Sequence, residues 1–279
     1  MATEEKVIGL IAGDGRLPFM VAKGAKDAGL KVICVGLAGY AESRLADEVD
    51  EFYIVEIARP GSWLRKLKKH GVTRAIMVGG IARRQIYVRR RILRYLPDWR
   101  SFRVWYWRLR HKDKQPDMIL GALAEELASG GIILEDTTMY CKEHIASTGT
   151  MTKSQPSPSV KDDVEFGWEI AKKLGELDIG QSVAIKEKAV LSVEGAEGTA
   201  EMIERTGKLC KNGSWTLLKV AKPNQDVRFD VPCIGPDTIK SLAENGGKCV
   251  VVEADKTIII DKPQTLNLAN ELGIAIVGH

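Results

Sequence analysis

Residues Gly9 to Phe19 read GLIAGDGRLPF, an apolar strand that runs into a glycine turn and then into a helix start. The strand begins at Val7, and VIGLIAG carries no charge, as expected of a strand covered on both faces. Leu17 to Gly29 follows with helical spacing; Pro18 suits the first turn and Gly29 supplies a stop. KVICVGL (Lys31 to Leu37) is a second buried strand. EFYIVEI (Glu51 to Ile57), a helix over Ser62 to His70 with Ser62 as N-cap and Gly71 as stop, and RAIMVGG (Arg74 to Gly80) continue the alternation. After Pro116 a helix to Ser129 leads into IILE (Ile132 to Glu135). Strands alternating with helices imply a parallel sheet covered by helices, with ligands received outside the carboxyl ends of the strands.

The glycine turn is a candidate for such a ligand. Gly13 and Gly15 allow backbone N–H groups to face an anion, with Asp14 and Arg16 beside them and the helix N-terminus adding positive potential. Val78-Gly79-Gly80 would line the same crevice. The dinucleotide fingerprint is incomplete: Pro18 stands where a third glycine belongs, and the strand ending Val35-Gly36-Leu37 has no closing acid. A phosphate or nucleotide site is the expectation, with a purely structural turn as the alternative.

The second half has a different grammar. STGTMTKSQPSPSV (Ser147 to Val160) is a Ser/Thr/Pro-rich connection, followed by a helix from Lys161 to Leu174 and by QSVAIK and AVLSVE, a hairpin joined at Glu187-Lys188. Helix signals at Thr199 to Gly207, Pro236 to Asn245 and Gln264 to Gly273 alternate with the strands WTLLKV, KCVVVEA and TIIID. The expected fold is α/β: a Rossmann-like parallel-sheet domain over 1–135 with a basic aromatic insert at 83–114, a linker at 136–158, and a C-terminal mixed α/β (α+β) domain at 159–279.

Charge concentrates in two places. KVAKPNQDVRFD (Lys219 to Asp230) lies between the apolar runs Trp215 to Leu218 and Val231 to Ile234. Lys219 and Lys222 can neutralise a diphosphate, Arg228 can bind it bidentately, and Asp226 or Asp230 can hold Mg²⁺ or orient a water; a surface salt-bridge cluster is the competing reading. The other place is Arg83 to Lys114, with twelve basic residues and two acidic ones, Asp98 and Asp113. There Phe102, Trp105, Tyr106 and Leu109 recur at helical spacing with Arg100, Arg103 and Arg110 opposite, a pattern that suits an anionic lipid surface, a nucleic acid, or an ordinary solvated face.

Other polar candidates are more local. In VEGAEGT (Val193 to Thr199), Gly195 and Gly198 permit tight turns, Thr199 is a good N-cap, and Glu194 or Glu197 is placed to hold a metal beside a phosphate at the helix start. Gln181 and Lys186 are polar residues at strand ends, and Asp162 and Asp163 suit the dipole of a first helical turn.

With 44% hydrophobic and 28% charged residues the chain reads as a folded globular protein, and its five scattered cysteines read as reduced core residues. The start MATEEKVIGL lacks the basic end and long apolar run of a signal peptide, so the expected location is cytoplasmic, with contact on the cytoplasmic face of an inner membrane. The four histidines form no HxxxH or HxH pair, and GxSxG and GxxxxGK[ST] are missing, which counts against zinc hydrolases, α/β-hydrolases and P-loop enzymes.

GLIAGDGRLPF, DVEFGWEIAKKLGELDIGQSVAIKEKAVLSVEGAEGTAEMI and KVAKPNQDVRFDVPCIGPDTI together resemble the UDP-2,3-diacylglucosamine pyrophosphatase family of the LpxI type, nearly end to end. The resemblance implies Mg²⁺-dependent hydrolysis of UDP-2,3-diacylglucosamine to UMP and 2,3-diacylglucosamine 1-phosphate (lipid X) in lipid A biosynthesis, and two domains joined by a linker. It implies that Gly13, Asp14, Gly15 and Arg16 lie on the nucleotide side, and that Gln181, Lys186 and Thr199 line the substrate site. It further implies that Asp226 holds Mg²⁺ or aligns water while Lys219, Lys222 and Arg228 stabilise the diphosphate. The expected partners are a lipid-linked nucleotide substrate and, transiently, an inner-membrane surface, with no nucleic acid and with room for a homodimer. A nucleotide-sugar oxidoreductase or transferase, and a non-enzymatic membrane-docking nucleotide-binding protein, are the alternatives.

Overall fold

The computed structural model describes residues 6–80, 98–104, 106, 116–223 and 226–279. The chain divides into two compact units, Met1–Cys141 with Asp226–Asp230, and Lys142–Gln225 with Val231–His279.

In the first unit the strands are β1 (Val7–Ala12), β2 (Lys31–Leu37), β3 (Glu51–Val55), β4 (Arg74–Val78) and β5 (Ile133–Leu134). The helices are α1 (Leu17–Asp27), α2 (Pro60–Lys68), α3 (Trp99–Arg103) and α4 (Pro116–Ser129). All five strands are parallel, in the order β3-β2-β1-β4-β5. The order reverses between β1 and β4, which makes that edge the topological switch point, where open α/β sheets receive ligands. Ile33 and Val35 of β2, Trp63 and Leu67 of α2 and Leu127 of α4 share one buried cluster, and Phe229 packs against it from far along the sequence. One boundary differs from expectation: α2 starts at Pro60 and not at Ser62. A proline with φ preset for the first turn overrides a serine two positions on, and Ser62 N–H donates to Arg59 O at 2.8 Å from inside the helix.

The second unit holds β6 (Gly149–Thr150), α5 (Pro158–Glu176), β7 (Ser182–Lys186), β8 (Ala189–Val193), α6 (Thr199–Leu209) and β9 (Trp215–Lys219). These are followed by β10 (Cys233–Ile234), α7 (Pro236–Glu244), β11 (Gly247–Val252), β12 (Ile258–Ile259), α8 (Lys262–Glu271) and β13 (Ala275–Gly278). The main sheet runs β6-β13-β11-β9-β7-β8. Its centre, β13-β11-β9, is parallel, while β6 pairs antiparallel with β13, and β7 with both β9 and β8. Leu217 and Leu218 enter opposite clusters, as the period of two along a strand requires. The run Val231 to Ile234 does not extend this sheet; its last two residues form β10, which pairs with β12 in a separate parallel pair.

The β7–β8 hairpin closes through Glu187 (φ 51°) and Lys188 (φ 58°), the two left-handed positions of a two-residue turn whose twist suits a hairpin. Because α5 starts at Pro158, Asp162 and Asp163 lie beyond its first turn, which holds no acid, and the expected dipole role is corrected: Asp163 accepts the Lys188 N–H at 2.8 Å and serves the hairpin turn. Cys34, Cys141 and Cys249 are buried thiols, and burial pushes the Cys249 thiol up to about 12. Among the described residues no helix is long and apolar enough to cross a membrane.

Candidate functional site

At the switch point of the first unit the two glycine turns are sewn to each other. Gly13 N–H donates to Val78 O (2.8 Å), Asp14 N–H to Gly80 O (2.9 Å) and Gly80 N–H to Asp14 O (2.8 Å). The Asp14 carboxylate accepts Gly15 N–H at 2.9 Å. The N–H groups of Gly13, Asp14 and Gly15 are therefore committed inside the turn, and the expectation that they face an anion is corrected. The glycines serve backbone approach instead: a Cβ on Gly13 would lie 2.7 Å from Gly80 O, and Gly79 adopts φ 97°. Positive charge at this edge comes from side chains, because the guanidinium carbons of Arg16 and Arg44 stand 5.4 and 5.0 Å from the centre of the Phe19 ring.

Asp226 and its neighbours also belong to the first unit. Phe229 N–H and Asp230 N–H both donate to Asp226 O, at 3.0 and 3.2 Å, making a single turn, and Val227 O accepts Thr137 N–H at 3.1 Å. Arg228 folds back on Asp226: Nε lies 2.9 Å from Oδ1, a terminal nitrogen 2.5 Å from Oδ2, and the Arg228 N–H adds 3.1 Å to Oδ1. The guanidinium holds the Asp226 carboxyl below its ordinary value, outweighing the upward push of partial burial, with help from the N–H.

The second unit gathers four of the expected residues at the carboxyl edge of its parallel strands. Lys219 ends β9 opposite Ser182, the first residue of β7. Its ammonium donates to Thr199 Oγ1 (2.8 Å), Thr199 Oγ1 donates to Glu194 Oε1 (2.9 Å), and Glu194 Oε2 accepts Gln181 N–H (3.4 Å). Thr199 is not the N-cap; Gly198, at φ 89°, holds that place, and the threonine opens α6 with its hydroxyl turned to Glu194. Gln181 Oε1 and Ser182 Oγ are buried and lack a hydrogen-bond partner among the described residues. Buried polar atoms are normally satisfied, so these two mark this edge as one with polar capacity to spare.

Two expected residues do not join this set. Lys186 lies at the other end of β7, where its ammonium donates to Gly213 O at 2.8 Å. Lys222 is tied to Asp178 at 2.5 Å, with 9% of its side chain exposed. Between Lys219 and Lys222 the chain is gripped from two sides. Glu253 accepts Ala221 N–H (2.8 Å), the Lys172 ammonium (2.8 Å) and the Lys256 ammonium (2.7 Å), and Lys172 also donates to Ala221 O (3.0 Å). Burial pushes the Glu253 carboxyl up, but these donors outweigh it and hold the group below the ordinary carboxylate value. Lys172, Asp178, Ser182 and Glu253 were not expected from the sequence. Their partners lie 81, 44 and 32 residues away for Lys172–Glu253, Asp178–Lys222 and Glu253–Ala221, so no local spacing announces them.

The donor chemistry separates the expected metal ligands. Glu197 is paired with Arg205 (2.5 Å), its carboxyl lowered first by its own N–H and further by that arginine, and Glu194 is engaged by Thr199 and Gln181. Neither suits Mg²⁺. Asp226 and Asp230 share one turn and offer hard carboxylate oxygens, which fits an ion that takes one or two carboxylates and completes its shell with water and phosphate. Among the described residues no group of three or more His, Cys, Asp or Glu is gathered for a metal.

Comparison with known proteins also divides the chain in two, with Asp226–Asp230 falling in the C-terminal match. The family model LpxI N-terminal domain matches residues 7–144 and LpxI C-terminal domain matches 147–277. A curated relative from Caulobacter vibrioides, named UDP-2,3-diacylglucosamine pyrophosphatase LpxI, is 28% identical over 283 aligned positions, covering 97% of this chain and 96% of the relative. Among solved structures, the biotin carboxylase domain of Hydrogenobacter thermophilus 2-oxoglutarate carboxylase is 12% identical with a TM-score of 0.27, covering 74% of this chain and 41% of that one. The biotin carboxylase domain of a single-chain bacterial carboxylase is 15% identical with a TM-score of 0.22, covering 68% and 37%. Likenesses that low carry no argument. Two family models in sequence, spanning nearly every residue, do: the chain belongs to the LpxI family.

Proposed function

We propose that this protein hydrolyses UDP-2,3-diacylglucosamine to UMP and 2,3-diacylglucosamine 1-phosphate (lipid X), a step of lipid A biosynthesis. The observation that carries the reading is the match along 97% of the chain to a relative named for that pyrophosphatase activity. In the reaction the oxygen of water bonds to one phosphorus, the bond from that phosphorus to the bridging oxygen breaks, and the bridging oxygen leaves with the other phosphoryl group. The proton released from water passes to solvent.

Charge stabilisation is the main demand of such a step. Lys219 spends one of its three N–H donors on Thr199, so the same ammonium can reach a phosphoryl oxygen with another. Asp226, held ionised by Arg228, is a weak base, which favours a positioning role over proton abstraction. Mg²⁺, when bound, would supply Lewis-acid charge stabilisation, with Asp226 and Asp230 as its carboxylates. Lys222 is assigned away from the diphosphate: tied to Asp178, it anchors the chain that follows Lys219.

The test is UMP release from UDP-2,3-diacylglucosamine in the presence of Mg²⁺ by the wild type and Asp226→Asn. The wild type is expected to turn over and the variant to lose about 10²-fold or more. Absence of UMP from the wild type would sink the reaction; a folded variant at full rate would sink the role of Asp226.

A further inference from the structure

In the described part of the basic aromatic insert the arginines and the rings part company; Arg83 to Pro97, Trp105 and Trp107 to Lys114 lie outside the described residues. Helix α3 is pinned at its start. Asp98 accepts Ser101 N–H (2.9 Å) and Gly61 N–H (2.7 Å), and the Ser101 hydroxyl donates to Ala58 O (2.5 Å). From that fixed turn Arg100 and Arg103 reach inward to Glu126 of α4, at 2.6 and 3.5 Å, and Glu126 is 0% exposed. A buried carboxylate requires its cations, so the arginines go in.

The rings go out. Trp99 is 65% exposed, Phe102 47% and Tyr106 41%. They form a stack, with centroids 5.5 Å apart at 19° for Trp99 and Phe102, and 5.3 Å apart at 8° for Phe102 and Tyr106. A folded protein rarely exposes contiguous aromatic surface unless something covers it.

We propose that the Trp99–Phe102–Tyr106 stack is an interfacial anchor that docks on an anionic phospholipid surface. Charge complementarity selects this occupant. Beyond Arg100 and Arg103, which are spent on Glu126, the surrounding sequence from Arg83 to Lys114 carries ten further basic residues against two acidic ones. Helix α2, against which α3 packs, exposes Arg65, Lys66 and Lys68, and Lys69 at its C-cap is exposed as well. Trp and Tyr join an apolar body to a polar tip, the combination that settles at the headgroup level, and neighbouring basic residues add attraction to an anionic leaflet. The anchor is independent of the proposed hydrolysis.

The experiment is co-sedimentation of the full chain with phosphatidylglycerol or phosphatidylcholine vesicles, at low and high salt. The wild type is expected to bind phosphatidylglycerol vesicles, roughly tenfold more weakly at high salt or on phosphatidylcholine. A W99S/F102S/Y106S variant with an unchanged thermal midpoint is expected to lose about tenfold. If that variant does not fold, Trp99→Ser alone, which removes the most exposed ring, is expected to lose about threefold. No binding by the wild type, or equal binding by the folded variant, overturns the proposal. So does self-association that the ring substitutions abolish while vesicle binding persists, since the stack would then serve a second copy of the chain.

Discussion

The Lys219 ammonium donates to the Thr199 hydroxyl at 2.8 Å in a place where only 5% of Lys219 is exposed. The hydroxyl passes the interaction on, donating in turn to Glu194. A cation and a carboxylate are thus linked through one side-chain oxygen.

Thr199→Val keeps the shape and removes that oxygen, leaving both charged groups one partner short. It is expected to cost about 1–3 kcal/mol of stability, and Thr199→Ser to recover most of it. Urea denaturation of the three proteins measures the difference; equal midpoints for the valine variant and the wild type would contradict the linkage.

Lys219→Met and Lys186→Met distinguish the two ends of β7. UMP release is expected to fall about 10²-fold or more in the first and to stay within about twofold in the second, whose ammonium is spent on Gly213 O. A large kcat loss in Lys186→Met would place the substrate at the wrong edge of the sheet in this account.

The pair formed by Asp226 and Arg228 predicts a shift in pH dependence. The folded Asp226 carboxyl is depressed by the guanidinium, so activity that needs it ionised persists as pH falls until the depressed value is crossed. Removing the guanidinium in Arg228→Gln lets the carboxyl rise, and the acid limb of kcat/KM is expected to move to higher pH. A limb that stays in place would detach Asp226 from it.

Glu253 makes a corresponding claim about stability. Its folded value is lowered by Lys172, Lys256 and the Ala221 N–H, so its contribution is fully present above the unfolded carboxylate value and is lost as pH falls through the folded one. Glu253→Gln is expected to cost about 1–3 kcal/mol near neutrality and progressively less in acid. Chemical denaturation across that range decides it, and a penalty independent of pH would exclude the linkage.

Gly13→Ala tests the sewn turns. The new methyl would lie 2.7 Å from Gly80 O and 2.8 Å from Gly79 O, both backbone atoms that cannot swing aside. A loss of about 1–3 kcal/mol is expected, seen as a lower denaturation midpoint.

The alternating strands and helices of the first unit were legible because each announces itself locally: VIGLIAG and KVICVGL by unbroken apolar runs, Gly29 and Gly71 by the left-handed conformation that ends their segments (φ 78° and 75°). The Glu187-Lys188 hairpin was legible for the same reason. What the sequence concealed are long-range choices. Nothing near Lys222 says that Asp178 will claim it, and nothing near Arg100 says that a buried Glu126 will draw it inward. Gln181, Glu194, Thr199 and Lys219 could each be nominated from the sequence, but their convergence depends on the β7–β9 register and on the turn into α6. Strand β13 went unnoticed, its four residues following a glycine stop without the polar alternation that marks a partly exposed strand.

The membership of Asp226–Asp230 in the first unit bears on how this protein can be inherited or dismantled. The chain leaves the second unit, spends five residues in the first, and returns, so no single cut in the gene separates the two. A fragment ending at Cys141 would lack Phe229, which packs partly buried against its core cluster, and the complementary fragment would carry that ring without the cluster it covers. Separating the halves at any one point therefore takes Phe229 away from the cluster it packs against.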